Sequence, residues 1–387
     1  MNLNIKKIIL LFAILPGFAF GAPKYNYDLI IKHVKLFDGN KVTALANIYV
    51  RNGVIQRIDT NLDVINVSSK YTIDGSNKTL IPGLINAHTH PQSRNDLDDA
   101  AKAGILTVMD LLRIVEDSIP VFKSLNKKTN CADYYTSGIG ADMPNAVIKF
   151  YINQVNPWAP LTIQEVQDFV AERIENKVDF IKIFQDSRLP EKFSDSLFDQ
   201  LIFEVHKNNL LAVVHAEILG DARYAFNHGA NILAHGWVDS LISNNDLEHW
   251  KQREFYIIPT LLVHIRGKKD LNAKTSTLSE SEMIAEIGKI HKAGIRLLAG
   301  SDSPADHLNF TTDFYKELAL YADAGLSPLD VLKTATIYPA QAFKLKDKGI
   351  IKEGISADFV LIDGDLLSDI SKLNSIEAVW KKGIRIK

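Results

Sequence analysis

The chain has 387 residues, with 44 Lys and Arg against 46 Asp and Glu and a formal net charge of −2. This length supports one large domain and a smaller one, with a substantial core. The balanced charge excludes the strongly basic surface typical of nucleic-acid and acidic-membrane binding. The single cysteine, Cys131, excludes an intrachain disulfide and a cysteine-based metal motif, so other side chains would have to hold any metal.

Residues 1–21 have the layout of a secretory signal peptide. Two lysines precede an apolar run over residues 8–20, and the small residues Ala19 and Gly21 precede a cleavage site at Ala22. The run is shorter than the ~20 residues of a comfortable transmembrane helix, although a retained anchor is the alternative. We therefore predict a secreted or periplasmic protein with no membrane attachment after cleavage.

Both ends of the mature chain contain short alternating segments that are typical of antiparallel strands. Turn signals such as Asp38-Gly39-Asn40 and Arg51-Asn52-Gly53 separate the N-terminal segments, and the same style returns over residues 358–386. We predict a small β-sandwich satellite domain, built from residues 22–80 and 346–387.

The middle of the chain alternates apolar strand runs with amphipathic helices, which favours βα units around a parallel sheet. Thr162 and Glu165 form the clearest helix start, a capping box for a helix over residues 162–177. Eight strands in about 260 residues match the size of a (β/α)8 TIM-type barrel, so we predict an α/β barrel over residues 81–345. A doubly wound open sheet is the alternative. The predicted strands are residues 81–87, 104–111, 132–140, 178–184, 210–216, 230–236, 255–262 and 295–302.

The first of these strands leads into two histidines, His88 and His90. Alternate side chains of an extended strand point to the same face, so both imidazoles leave the strand end in one direction. Two neutral imidazoles aimed at one point form half of a divalent metal site.

The fourth strand contains a lysine, Lys182, within an otherwise apolar run. A buried lysine is costly unless it is paired or chemically altered. It either forms a structural salt bridge, lies at the rim, or has its pKa lowered by burial. In the last case the neutral amine can take up CO₂, and the resulting carbamate has two oxygens that can bridge two metals.

Three later strands deliver further candidate ligands. His215 ends the fifth strand, His235 the sixth and Asp302 the eighth. Because the carboxyl ends of barrel strands converge on the active-site face, these side chains should meet His88 and His90 there.

These residues give the chain a resemblance to the amidohydrolase superfamily of metal-dependent hydrolases, and within it to the imidazolonepropionase-related and prolidase-like secreted branch. The resemblance covers nearly all of the mature chain. It also rests on Phe37-Asp38-Gly39, Ile81-Pro82-Gly83-Leu84, Gly300-Ser301-Asp302 and Gly354-Ile355-Ser356-Ala357-Asp358.

The resemblance implies a binuclear site with two divalent metal ions, commonly zinc, bridged by carboxylated Lys182. The implied metal ligands are His88, His90, Lys182, His215, His235 and Asp302. The chain departs from the branch at Ala216-Glu217-Ile218, where a second polar ring or histidine often follows, and at Phe314-Tyr315-Lys316, where a histidine is common. Neither departure removes a ligand, but both separate the chain from the family's known substrate specificities.

The predicted reaction is hydrolysis of an amide- or peptide-type C–N bond in a small molecule, such as a dipeptide or an N-acyl amino acid. Asp302 is the predicted general base for a metal-activated hydroxide, and His235 the second catalytic residue. One alternative is a mononuclear, imidazolonepropionase-like cyclic-amide hydrolase or deaminase, with Glu217 as a proton shuttle. The other alternative is a barrel without enzymatic activity. For Glu217 itself we expect a solvated carboxylate at the rim.

Substrate contacts are expected on the predicted βα loops and helices. A substrate carboxylate would favour a guanidinium, and an aromatic pair could line a pocket; the alternatives are solvated surface arginines and core aromatics. The candidates are Arg113, Arg188, Arg223, Arg266, Tyr224, Phe255 and Tyr256. The long segments 142–161 and 264–279 are candidate lids or pocket walls. A homo-oligomer is possible, but the sequence does not indicate the oligomeric state.

Overall fold

The computed structural model of the protein describes residues 25–62, 67–270 and 276–387. The predicted signal peptide, residues 1–21, lies outside these residues. Within them, no helix combines the length and the apolar character needed to cross a membrane. The one cysteine, Cys131, is buried and has a free thiol.

The described residues before the barrel form five strands. They are β1 (Tyr27–Phe37), β2 (Val42–Arg51), β3 (Val54–Asp59), β4 (Ser69–Asp74) and β5 (Lys78–Pro82).

Eight parallel strands then form the barrel itself, which confirms the predicted fold. They are β6 (Leu84–Thr89), β7 (Ile105–Asp110), β8 (Asp133–Thr136), β9 (Ile181–Phe184), β10 (Ala212–His215), β11 (Ile232–Ala234), β12 (Tyr256–Ile258) and β13 (Arg296–Leu297). Each lies within a predicted strand or overlaps it, and the strands are shorter than predicted because their ends turn into loops.

Helices cover the outside of the barrel and follow its strands. They are α1 (Arg94–Lys102), α2 (Ile119–Ser124), α3 (Val147–Ile152), α4 (Ile163–Glu175), α5 (Asp195–Lys207), α6 (Leu219–Asn227), α7 (Asn244–Trp250), α8 (Leu261–Asp270), α9 (Glu280–Lys292), α10 (Thr312–Asp323), α11 (Pro328–Thr334) and α12 (Ile337–Ala342). The predicted capping box of α4 is confirmed: the Glu165 N–H donates to Thr162 Oγ1 over 3.2 Å, and the Thr162 N–H donates to the Glu165 carboxylate over 3.0 Å.

Two seams close the barrel. β6–β8 form one hydrogen-bonded sheet and β9–β13 another. Parallel bridges between Ala141 and Ile183 and between Thr89 and Ser303 join the two sheets on both sides. The carboxyl ends of all eight strands therefore surround one mouth.

Alternation along the strands separates the barrel interior from the helix layer. In β9, Ile181 and Ile183 belong to the large apolar cluster shared with the helices. Lys182 lies between them and so points into the barrel. In β10, Val213 packs inside the barrel, and His215, two residues on, follows it to the same side.

Three strands follow the barrel: β14 (Phe359–Asp363), β15 (Ile376–Lys381) and β16 (Ile384–Arg385). They join β1–β5 in one sheet of order β16-β15-β14-β5-β1-β2-β3, with β4 paired to β1, so strands from both ends of the chain build this sheet. β1 pairs with β4 over its first half and with β5 near its end, across a register shift at His33, whose φ is 56°. The sandwich form of this satellite stays a prediction.

A buried charge network joins the satellite to the base of the barrel. Asp133, at the start of β8, accepts from Lys381 Nζ over 2.6 Å and from Lys348 Nζ over 2.7 Å. Lys348 also donates to Asp358 over 2.8 Å. Burial alone would raise the pKa of the Asp358 carboxyl, but Lys348 and neighbouring donors outweigh this and lower it below its usual value.

Asp358→Asn should therefore destabilise the fold at neutral pH, by about 2–4 kcal/mol in the free energy of unfolding, since it leaves Lys348 with one buried carboxylate partner. A carboxyl with a lowered folded-state pKa contributes stability above its unfolded pKa of about 3.9 and loses it as the pH falls through the folded value. Urea unfolding at pH 7 and near pH 3 measures this difference.

The gap between wild type and Asp358→Asn should narrow in acid, whereas Asp99→Asn, on the exposed face of α1, should have little effect at either pH. A gap that stays constant or widens on acidification would show that the network does not depend on the ionised Asp358.

Candidate active site

The seam between β6 and β13 brings together three predicted ligands. The backbone N–H of Asp302 donates to the His88 carbonyl over 2.8 Å, and that of Ser301 donates to the same oxygen over 3.0 Å. The Oδ1 atom of Asp302 then lies 3.0 Å from Nε2 of His88 and 2.9 Å from Nε2 of His90. One carboxylate oxygen thus faces both imidazoles.

Gly300 makes this approach possible. A Cβ at this position would lie 2.7 Å from Cβ of His88 and 2.4 Å from Cγ2 of Ile258. Neither neighbouring atom is at the end of a flexible side chain, so neither can move aside easily. Only glycine therefore lets the chain after β13 run this close to β6.

A second cluster lies beside the first. The rings of His215 and His235 have centroids 4.5 Å apart, and that of His88 lies 4.7 Å from that of His235. Oε1 of Glu217 lies 4.0 Å from Nε2 of His215. Donor atoms within each cluster, His88–His90–Asp302 and His215–Glu217–His235, lie within 4.8 Å of one another, a spacing that one metal ion can span.

Lys182 lies inside the barrel, near both clusters. Its side chain is 2% exposed, and burial lowers the pKa of its amine to about 7, although the negative charges of Asp302 and Glu217 act to raise it. The amine therefore lies within electrostatic reach of one carboxylate from each cluster.

Burial also keeps three of the histidines neutral. It lowers the pKa of His88 to about 3 and of His215 to about 4, and the pKa of His235 falls well below its usual value for the same reason. For His90 burial acts in the same direction, but hydrogen bonds from its ring to Asp110 and Asp302 outweigh it and raise the pKa to about 9.

These properties fit divalent metal ions. A metal ligand must offer an unprotonated nitrogen or an ionised carboxylate, and metal binding displaces protons from the donors. His88, His215 and His235 are already neutral, and the pKa of the Asp302 carboxyl is held well below its usual value by His88 and His90 despite its burial. Imidazole nitrogens and carboxylate oxygens are the donor set that zinc takes in catalytic sites.

Asp110 fixes the ring of His90. Its Oδ1 atom lies 3.3 Å from Nδ1 of His90, which leaves Nε2 of that ring facing Asp302. Asp110 is fully buried and also accepts from Tyr134 Oη over 2.7 Å and from Arg113 Nε over 2.9 Å. Carboxylates that hold the far nitrogen of a ligand histidine set its tautomer and orientation.

Thr260 performs the same role for His235. Its hydroxyl lies 2.9 Å from Nδ1 of His235, so a donating Nδ1–H leaves Nε2 unprotonated. Thr260 has a φ of 44°, a conformation that β-branched residues rarely adopt. The buried carboxylate of Glu317 stabilises the next turn, since it accepts from the N–H groups of Leu261 and Leu262 over 2.8 and 2.7 Å.

The structure corrects the expectation that Glu217 is a solvated rim carboxylate. Its side chain is 27% exposed and accepts from Arg188 Nη2 over 2.5 Å. Burial acts to raise its pKa, but the charges of His215, His264 and Arg188 lower it to about 2. Glu217 thus belongs to the histidine cluster.

Other predicted substrate contacts have structural partners instead. Arg223 pairs with Asp246 over 2.8 Å and Tyr224 donates to Asp195 over 2.9 Å, both on the helix layer. Tyr256 begins β12 and donates to Glu254, at the end of the barrel opposite the mouth. The structure therefore does not bring these three side chains to the histidines, because helix surfaces and strand starts face away from the mouth.

Arg113 does lie at the mouth, beside a cavity of about 490 Å³ that reaches His90. Its guanidinium is occupied by Asp110, Tyr134 and the Pro91 carbonyl. Tyr151 and Ile152, from the predicted long segment 142–161, also line this cavity, so that segment supplies a pocket wall.

Sequence reasoning missed Asp110, Thr260 and Glu317. Asp110 ends a buried strand, a position that signals the active-site face of a barrel, so it could have been found on that ground. Thr260 and Glu317 carry no such pattern, since their role depends on a turn conformation and on contact between the start of α8 and α10.

The fold and this site define a class of protein: an α/β-barrel enzyme with clustered histidine and carboxylate ligands for divalent metal. A family model described as the amidohydrolase family matches residues 79–385, and the chain belongs to that family. It is an enzyme of a family that acts on carbon–nitrogen bonds.

Individual relatives are distant but extend over most of the chain. Imidazolonepropionase of Treponema denticola is 24% identical over 87% of this chain and 90% of its own length. A 5-methylthioadenosine/S-adenosylhomocysteine deaminase of Carboxydothermus hydrogenoformans is 21% identical over 87% and 84%. The crystal structure of a Xaa-Pro dipeptidase with bound methionine superposes with a TM-score of 0.79 at 19% identity, covering 92% of this chain and 99% of that one, which shows a shared fold.

Thr260→Val should weaken metal binding about 10- to 100-fold, since it removes the hydroxyl that orients His235 while keeping the β-branched shape. Thr260→Ser should retain the affinity. Competition with a metal chelator, followed by elemental analysis, measures the effect.

Thr334→Val is the matched control, because it removes a buried hydroxyl from α11, where that group bonds the Val331 carbonyl. Equal metal affinity in Thr260→Val and Thr334→Val would refute the orienting role of Thr260.

Proposed function

We propose that this chain is an exported amidohydrolase that cleaves an amide- or peptide-type C–N bond at a binuclear metal site bridged by carboxylated Lys182. The observation that carries the proposal is the position of Lys182. A lysine buried in the barrel within electrostatic reach of two metal-type clusters, with its pKa lowered to about 7, has no salt-bridge partner within 4.0 Å among the described residues. A structural ion pair therefore does not account for it.

Carboxylation would resolve the cost of this burial. The neutral Nζ attacks the carbon of CO₂, a new N–C bond forms, and one proton leaves to solvent. The product carries a negative charge and two oxygens beside the histidines. His88, His90 and Asp302 would hold one ion, His215 and His235 the other, and the carbamate oxygens would bridge them. The donor set favours zinc.

When bound, two ions would lower the pKa of a water and polarise the substrate carbonyl. The chain supplies the proton transfers. Asp302 is ionised, faces both first-strand histidines, and so can accept a proton from the attacking water. The same carboxyl can then deliver that proton to the leaving nitrogen. His235, held by Thr260, borders the same space and can contact the developing oxyanion or the leaving group.

The substrate is a small amide, with dipeptides and N-acyl amino acids the first to test. Fold similarity to a Xaa-Pro dipeptidase supports a C–N hydrolase but does not choose the substrate. The N-terminal pattern of residues 1–21 supports export, so the reaction would take place in the periplasm or outside the cell.

Lys182→Ala tests the bridge. The metal-loaded wild type should contain about two metal equivalents per chain. The variant should contain at most one. Its kcat for amide hydrolysis, measured from the release of the amine product, should fall about 100-fold or more. Propionate, which can supply two carboxylate oxygens to the emptied space, should partly restore the metal content and the activity of the variant.

Lys102→Ala, an identical change on the exposed face of α1, should leave metal content and activity unchanged. Two equivalents retained in Lys182→Ala would overturn the carbamate bridge.

Glu217 supports a second candidate function, a mononuclear cyclic-amide hydrolase or deaminase. Its carboxylate lies beside His215, where it could move a proton, and two of the relatives are named an imidazolonepropionase and a deaminase. One metal equivalent, unchanged in Lys182→Ala, together with ammonia release from an amino-substituted ring, would favour this candidate over the binuclear hydrolase.

A further inference from the structure

We propose that the cavity beside His90 binds an uncharged apolar group of the substrate, so that the enzyme prefers neutral amides to amides bearing a carboxylate away from the scissile bond. This inference rests on the proposed hydrolase function and narrows its substrate class.

The cavity is continuous with the candidate active site and has an apolar lining. Its volume of about 490 Å³ suits a small organic group. His90 forms part of its wall, so a group bound there extends directly from the predicted reaction centre. The apolar lining comes from Leu112, Ile114, Val115, Tyr151, Ile152 and Pro304.

The cavity offers no net positive charge to a carboxylate. The lining side chains that can be charged are Arg113 and His90, and the Asp302 carboxylate lies 2.9 Å from Nε2 of His90. Asp110 lies 2.7 Å from Arg113 Nη2 and 2.9 Å from its Nε, so a buried carboxylate balances the guanidinium. A substrate carboxylate bound here would be desolvated without a free cation to compensate it.

The other candidate arginines also have carboxylate partners. Arg188 donates to Asp186 over 2.6 Å and to Glu217 over 2.5 Å, so this group of three side chains carries one excess negative charge. On the helix layer, Arg223 pairs with Asp246, and Asp313 accepts from both Arg266 over 2.9 Å and Lys316 over 2.7 Å. At the mouth, the groups around Arg113 and Arg188 therefore disfavour an anionic group.

Apolar side chains also remain exposed at the cavity rim. Val115 is 65% exposed and Tyr151 is 64% exposed, and both line the cavity. Exposed apolar groups gathered around a concavity are typical of a binding site. Burial of an apolar substrate group would remove these surfaces from water.

Two matched ligands test the preference: hexananilide and its para-carboxylate, which share the same amide and differ only in a remote charge. Calorimetric titration of the metal-loaded protein, at a temperature where product analysis shows both amides to be intact, gives both dissociation constants. Hexananilide should bind about tenfold or more tightly than the para-carboxylate, since the carboxylate loses hydration without an ionic partner.

Val115→Lys should reduce this preference about tenfold, because it places a cation at the rim. Val121→Lys on α2, where the native side chain is 64% exposed and does not line the cavity, should leave the preference unchanged. This pair of variants locates the effect in the cavity.

Equal or tighter binding of the para-carboxylate by the wild type would overturn the inference, as would failure of both ligands to bind. Equal effects of Val115→Lys and Val121→Lys would overturn the assignment to this cavity. Each of these results comes from a binding measurement. The hydrolase proposal is tested separately, by metal content and by release of the amine product.

Discussion

Hydrogen bonds between the barrel's first and last strands hold the site together. The carbonyl of His88 accepts from two consecutive N–H groups beyond β13, and the Ala87 N–H donates to the Ala299 carbonyl over 2.8 Å. This seam closes the barrel and fixes the Asp302 carboxylate against His88 and His90 in one step. Since the closure needs a glycine at position 300, the backbone of the last strand and the chemistry of the mouth depend on one another.

Burial then determines the protonation of the clustered groups. In a low-dielectric interior, imidazoles and a lysine amine favour their neutral forms, which are the forms that bind metal or take up CO₂. At His90 the surrounding side chains outweigh this effect, because Asp110 and Asp302 both contact its ring. Asp110 and Thr260 each hold the far side of a ligand ring, so the orientation of the ligands is built in before any metal arrives.

Much of this arrangement follows from strand patterns, and the rest depends on tertiary contacts. Alternation within β9 and β10 is enough to send Lys182 and His215 to the barrel interior, since apolar neighbours mark the opposite face. His235 differs, because it follows the inward Ala234 and continued alternation would send it outward. The φ of 77° at His235 breaks the alternation, and no pattern in the sequence predicts that backbone conformation. Glu217 was misjudged for a related reason: its partner Arg188 comes from a different loop, 29 residues away.

The central claim is that Lys182 carries a carbamate that joins the two clusters. The most direct measurement is ¹³C NMR of the metal-loaded protein equilibrated with ¹³C-bicarbonate, alongside Lys182→Ala prepared in the same way. A carbamate resonance in the wild type that is absent from the variant is the predicted result. A wild-type spectrum without that resonance, in protein that holds its full metal content, would contradict the account.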